Sequence, residues 1–374
     1  LYRVKPMKVE QSLELLRKRI GRELQSEERT EARSLARAVG YLPLALRFAA
    51  VRLRKGVSFA ALQASLDAEI ARLEVLEDPT HRHRGEMQLI ASFNLSINAL
   101  KEEDEEAWRC FAWLGVVRED AVIAAPMAAT LWNVDEIKAA EFLEILEDEA
   151  LLQRNEQILP DGTQRTNYRV HDLIHDMARQ HLTSPKPLGL ETSLRNAHNQ
   201  LLEHYRAQLS NGLWHEVAAD GYIHAHLTWH MEQAGQVELI HALLAEETGD
   251  SQNGWYQALD RLGQTAIFVD DVVHAWQHAD IARALPHQWR CAFIMSSLNS
   301  LAANLSPELV EQLVQTGRWS AAQALAYIRQ IPYEWARSWA LAALAPHLPE
   351  ALLAEGPAER RAAAEGIWRG AARP

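Results

Sequence analysis

The chain has 374 residues, 48% of them hydrophobic, enough to bury several cores and to set disorder aside as the starting assumption. Lys and Arg number 38 against 50 Asp and Glu, a formal net charge of -12, so the chain as a whole repels phosphate backbones and anionic lipid surfaces. The two cysteines, Cys110 and Cys291, are too few and too far apart for a disulfide framework or a zinc knuckle, and two buried free thiols in a reducing cytoplasm are expected.

Apolar residues recur at helical spacing from Val9 to about Leu76, as in Leu13, Leu16, Ile20 and then Leu62, Leu66, Ile70, Leu73. Breaks near Gly40-Tyr41-Leu42-Pro43 and Gly56-Val57-Ser58 divide this stretch into a bundle of about four helices. Ser26, ahead of Glu27 and Glu28, is expected to cap one helix, and Ser58 the last. The run from Glu77 to Gly85 mixes proline, glycine and charge and reads as an exposed linker.

From Met87 to about Leu182 the pattern is helix, helix, helix, a two-stranded wing and a final helix. Phe93, Leu95, Ile97 and Leu100 carry the first helix; Trp108, Phe111, Trp113 and Leu114 the second; Ile137, Phe142, Leu143, Ile145 and Leu146 the third. Two short extended runs, Ala150 to Arg154 and Tyr168 to Val170, flank a turn at Pro160-Asp161-Gly162-Thr163. That order predicts a winged helix. Beyond Pro185-Lys186-Pro187 everything reads as helical. Leu298, Leu301, Leu305 and Leu309 recur 43 positions later as Leu341, Leu344, Leu348 and Leu352, a spacing in the range of HEAT or armadillo units.

Two motifs stand out. In Gly40-Tyr41-Leu42-Pro43-Leu44-Ala45-Leu46, Gly40 suits the end of one helix and Pro43 the first turn of the next, where a missing N–H costs nothing. In Val170-His171-Asp172, an imidazole follows the wing directly and can donate to a phosphate oxygen. No Gly-x-x-x-x-Gly-Lys-Ser/Thr phosphate loop occurs in the chain. The two motifs, in this order around a winged helix, resemble the NB-ARC family of STAND signalling ATPases, which includes the apoptotic protease-activating factor, plant disease-resistance receptors and bacterial homologues.

The resemblance covers the chain from Leu1 to roughly Ala275. It implies a mainly α fold: residues 1–76 as a first helical domain, 77–86 a linker, 87–184 a winged-helix domain with a short β-wing, and 185–275 a second helical domain. HEAT-like repeats over 276–374 complete the map. It also implies that Pro43 packs on the adenine of a bound nucleotide, that His171 touches the β-phosphate of ADP, and that Asp172 fixes the local turn. Tyr41 stands where the family motif has glycine, and Val170 where it has methionine. The chain begins at Leu1 and is read as a piece of a larger protein, whose nucleotide-binding domain would lie upstream. The implied function is that of a regulatory part that senses ADP or ATP, controls closed-to-open switching and oligomerisation, and is not itself an enzyme.

Competing readings attach to several residues. His171 and His175 have the four-residue spacing of a zinc-binding helix, but no third ligand is evident. His224, His226 and His230 read as core or surface histidines rather than a metal site. Ala266 to Asp271 mimics a magnesium-binding strand, yet it follows no phosphate loop and reads as an apolar helix turn ending in acids. The third helix of the winged segment carries seven acids between Asp135 and Glu149 against the single Lys138, so no nucleic-acid partner is expected. A DNA-binding winged-helix regulator and a plain helical scaffold are the alternatives. No stretch approaches ~20 uninterrupted apolar residues, so no membrane partner is expected.

Overall fold

The computed structural model describes residues 7–76, 84–158, 164–304, 306–329, 331 and 334–348. These form eighteen α-helices and one three-stranded sheet, divided by their contacts into a unit ending at Leu194 and a unit beginning at Arg195. The fold is mainly helical, a bundle and a β-wing followed by a helical array. Of the expected linker at 77–86, residues 77–83 lie outside the described residues, as does the wing turn at 160–163, whereas Arg84, Gly85 and Glu86 already belong to a helix.

In the first unit, α1 (Val9–Ile20), α2 (Glu28–Ala38), α3 (Pro43–Arg54) and α4 (Phe59–Leu76) enclose Leu16, Leu35, Leu46 and Leu66, all essentially without exposure. Their spacing of three and four residues along each helix is what places them on one face. Ser58 caps α4, its Oγ accepting from the Ala61 N–H at 3.2 Å. Ser26 does not cap α2. The residue before that helix is Glu27, with no side-chain cap, and the Glu28 carboxylate instead accepts from the Gln25 N–H at 2.9 Å and pairs with Arg22.

The winged segment follows as α5 (Arg84–Glu103), α6 (Glu105–Trp113), a 3-10 turn (Leu114–Val116), β1 (Val122–Ile123), α7 (Ala125–Trp132), α8 (Glu136–Asp148), β2 (Leu152–Ile158), β3 (Gln164–Val170) and α9 (Asp172–Thr183). The sheet order is β1-β3-β2, antiparallel throughout. It therefore has one strand more than the expected wing, and α7 is an additional helix. Phe93 on α5 joins the two halves of the unit: its ring centroid lies 5.8 Å from Phe48 of α3, 5.8 Å from Phe111 of α6 and 6.1 Å from His181 of α9.

The second unit contains α10 (Leu194–Arg206), α11 (Ile223–Gln233), α12 (Val237–Leu243), α13 (Gly254–Arg261), α14 (Thr265–Ile281), α15 (Leu285–Asn304), α16 (Pro307–Gln315), α17 (Ala321–Arg329) and α18 (Glu334–Leu344). α14 runs unbroken through the 275/276 division. Val310, Ile328, Leu341 and Leu344 share a small core among the last three helices. Of the leucine echo, Leu298 and its counterpart Leu341 are both buried, and Leu309 is 43% exposed. Leu305 and Leu352 lie outside the described residues.

Candidate functional site

The last residues of β3 deliver His171 to the start of α9. Strand pairing sets Leu152 opposite Val170, and His171 then takes the position before the helix with extended backbone, φ -74° and ψ 140°. Its Nδ1 accepts from the Leu173 N–H at 3.3 Å, satisfying one of the free donors of the first turn. Because Nδ1 is an acceptor, the ring proton of the neutral imidazole sits on Nε2. His171 is exposed, so this outward N–H is available to an anionic oxygen. Asp172 is the first residue of α9, where a carboxylate complements the positive end of the helix dipole.

Pro43 is likewise the first residue of its helix, and it is exposed. The turn before it holds two successive left-handed residues, Gly40 at φ 65° and Tyr41 at φ 57°. Tyr41 thus adopts the conformation that a glycine would take there freely, and its N–H closes the helix end by donating to the Ala36 carbonyl at 2.9 Å. The residue is a tyrosine, but the backbone is glycine-like.

A short series of contacts links the two motifs. Arg47, one turn after Pro43, donates from Nη2 to the Leu152 carbonyl at 3.4 Å, and Leu152 is the register partner of Val170, next to His171. Arg47 also lines a cleft of about 220 Å³ with Arg19, Val51, Arg54, Glu147, Asp148 and Ala150. Burial, with the repulsion of Arg19 second, lowers the pKa of Arg47, and its Nε is buried without a partner. Arg54 is neutralised by Asp148 at 3.2 Å. Sequence reasoning missed Arg47, although its place four residues after Pro43, on the same helical face, was a usable signal.

The other candidate clusters resolve differently. His175 does not join His171. It is 1% exposed and its Nε2 donates to the Val117 carbonyl at 2.8 Å, whereas His171 faces solvent. His230 is wholly buried, 2.8 Å from His198 Nδ1 and 2.8 Å from the Tyr222 hydroxyl, while His224 stacks on Trp255. Burial, with the neighbouring His198 second, drives the pKa of His230 well down, so it is a neutral core residue. Asp270 and Asp271 lie within α14, and Asp271 accepts from Trp255 Nε1 at 2.8 Å and from the Thr228 hydroxyl. Both cysteines are buried free thiols, Cys110 pushed up to about 12 chiefly by burial.

On the expected recognition helix α8, Lys138 is held by Glu106 at 3.0 Å, and exposed Glu136, Glu141 and Glu144 remain. Glu149 is 3% exposed and pairs with Lys55 at 2.5 Å, so it belongs to the junction with α3 rather than to an outer face.

No protein-family model matches the chain. It is similar to the regulatory protein AfsR of Streptomyces griseus, 33% identical over 175 residues, which cover 46% of this chain and 16% of that protein. It is also similar to the regulatory protein AfsR of Streptomyces coelicolor, 32% identical over 204 residues, 54% of this chain and 19% of the relative. The matched stretch is therefore less than a fifth of either relative's length. Among the described residues no helix is long and apolar enough to cross a membrane.

Proposed function

We propose that this chain is the regulatory part of a STAND-type nucleotide switch. In this reading an upstream nucleotide-binding domain supplies the phosphate loop and holds ADP, and the chain closes over it. Pro43 packs on the base, His171 donates from Nε2 to the β-phosphate, and Asp172 holds the first turn of α9. Exchange for ATP removes the fit and releases the winged segment, so that copies assemble. The chain alone performs no catalysis, since its residues would sense the phosphate without activating water.

The observation that carries the reading is the state of His171: an exposed imidazole whose acceptor nitrogen is occupied by the Leu173 N–H, leaving its donor outward, two contacts from the helix that begins at Pro43. Similarity to bacterial regulatory proteins supports the role at a coarser level. The test requires the protein extended upstream to include the nucleotide-binding domain. There His171→Ala is expected to speed ADP release at least about tenfold, the scale of one charge-assisted hydrogen bond, and to raise assembly without added ligand. ADP retention equal to that of the unaltered protein refutes the assignment.

A further inference from the structure

Gly115 sets the geometry of a second cluster. A Cβ built on it would lie 2.5 Å from the Arg179 Cα, so the 3-10 turn can approach the α9 backbone only because this residue has no side chain. The approach brings the segment from Val117 to Glu119 against the second turn of α9. One carboxylate oxygen each from Glu119 and Asp176 and a ring nitrogen of His175 lie within 4.8 Å of one another.

The state of His175 makes this cluster more than a pair of surface acids. A backbone carbonyl only accepts, so the 2.8 Å contact with Val117 fixes the ring proton on Nε2. The lone pair is then on Nδ1, which is buried and has no hydrogen-bond partner. A buried acceptor left empty is unfavourable and calls for an occupant. An imidazole that donates one nitrogen to a backbone carbonyl while presenting the other as a lone pair is the arrangement by which proteins orient metal ligands.

We propose that Glu119, His175 and Asp176 form a binding site for a divalent first-row transition cation, of which Zn²⁺ is the probe. One imidazole with two carboxylates suits Zn²⁺ better than Mg²⁺, which prefers oxygen ligands and keeps its waters. Ligand atoms at ~2.1 Å from a tetrahedral ion stand roughly 3.4 Å apart, so binding requires the two carboxylates, both exposed, to turn inward from their present separation. Three protein ligands leave a position for water. The bound ion would tie the turn after Val117 to α9, five residues beyond the phosphate-facing position of His171.

The experiment titrates the chelator-stripped 374-residue chain with ZnCl₂ by calorimetry, alongside a Glu119→Gln, Asp176→Asn double variant. Both substitutions are on exposed side chains and leave the buried ring in place. With 16 histidines in the chain, the informative quantity is the difference between the two isotherms. The unaltered chain is expected to bind one equivalent that the double variant loses or holds at least about tenfold more weakly. Co²⁺ is expected to give a visible absorption band that the variant lacks. Superimposable isotherms, absence of Zn²⁺ binding, or tighter binding of MgCl₂ than of ZnCl₂ overturn the proposal. A water on Nδ1 gives the second of these results.

Discussion

Asp271 is 4% exposed on α14, and burial raises its pKa to about 6 from the ordinary 3.8, despite the opposing hydrogen bonds from Thr228 and Trp255. The folded state therefore holds this proton more tightly than the unfolded chain. The stabilisation is fully present below about pH 4 and is lost as the pH rises through about 6. With about 1.4 kcal/mol for each tenfold change in proton affinity, the ionised carboxylate leaves the second unit about 3 kcal/mol less stable at neutral pH than a neutral group of the same shape would. Asparagine is such a group. Its carbonyl can accept from Trp255 Nε1, and its amide can donate to the Thr228 hydroxyl, which is able to accept. Asp271→Asn is thus expected to stabilise the second unit at pH 7.5 by about 2–3 kcal/mol, with the gain shrinking towards zero near pH 4. Urea unfolding between pH 4 and 8, combined with hydrogen exchange of the α13 and α14 amides, measures both quantities. A variant less stable than the parent at pH 7.5, or a difference that does not change with pH, refutes the reasoning.

Other expectations follow from the first unit. Gly40→Ala forces a side chain into a left-handed conformation and against the Gln88 side chain, and should lower stability by about 1–2 kcal/mol in a denaturant melt. Phe93→Ala removes the ring that Phe48, Phe111 and His181 surround, with an expected loss of about 3–5 kcal/mol by the same measurement; a loss below 1 kcal/mol would mean that the cluster collapses around the gap. On random duplex DNA at low salt, the acid-rich α8 is expected to give no salt-sensitive binding at about micromolar concentration. A steep fall of measurable affinity with added salt would favour a DNA-binding regulator instead.

The helical bundle was legible because its apolar residues keep a strict helical spacing, and Gly40-Tyr41-Leu42-Pro43 marks its central turn. The wing was legible from Tyr168-Arg169-Val170 and its strand partner. β1 was not, since Val122-Ile123 is too short to show a period and becomes a strand only by pairing with Tyr168 and Arg169. α7 escaped because Ala125-Pro126-Met127-Ala128-Ala129 offers no polar face, and its proline, which suits a helix start, reads as a break. Ser26 looked like a cap, but Arg22 and the Gln25 N–H recruit Glu28 instead. At the candidate site, the positions of Pro43 and His171 at helix starts could be read from the sequence, whereas the role of Arg47 depends on a carbonyl 105 residues away. The separation of His175 from His171 rests on Val117, 58 residues back, and on the room that Gly115 leaves.

Lys55 has one further consequence. At the end of α3 its ammonium lies 2.5 Å from Glu103 and 2.5 Å from Glu149, beside the Arg54 pair with Asp148. Glu149 is sequestered from water, and its other carboxylate oxygen is already unpartnered. Pulling α8 away from α3 by a small amount would strand an anion in a dry place, which is costlier than the docked arrangement. The junction therefore resists gradual separation of the two helices.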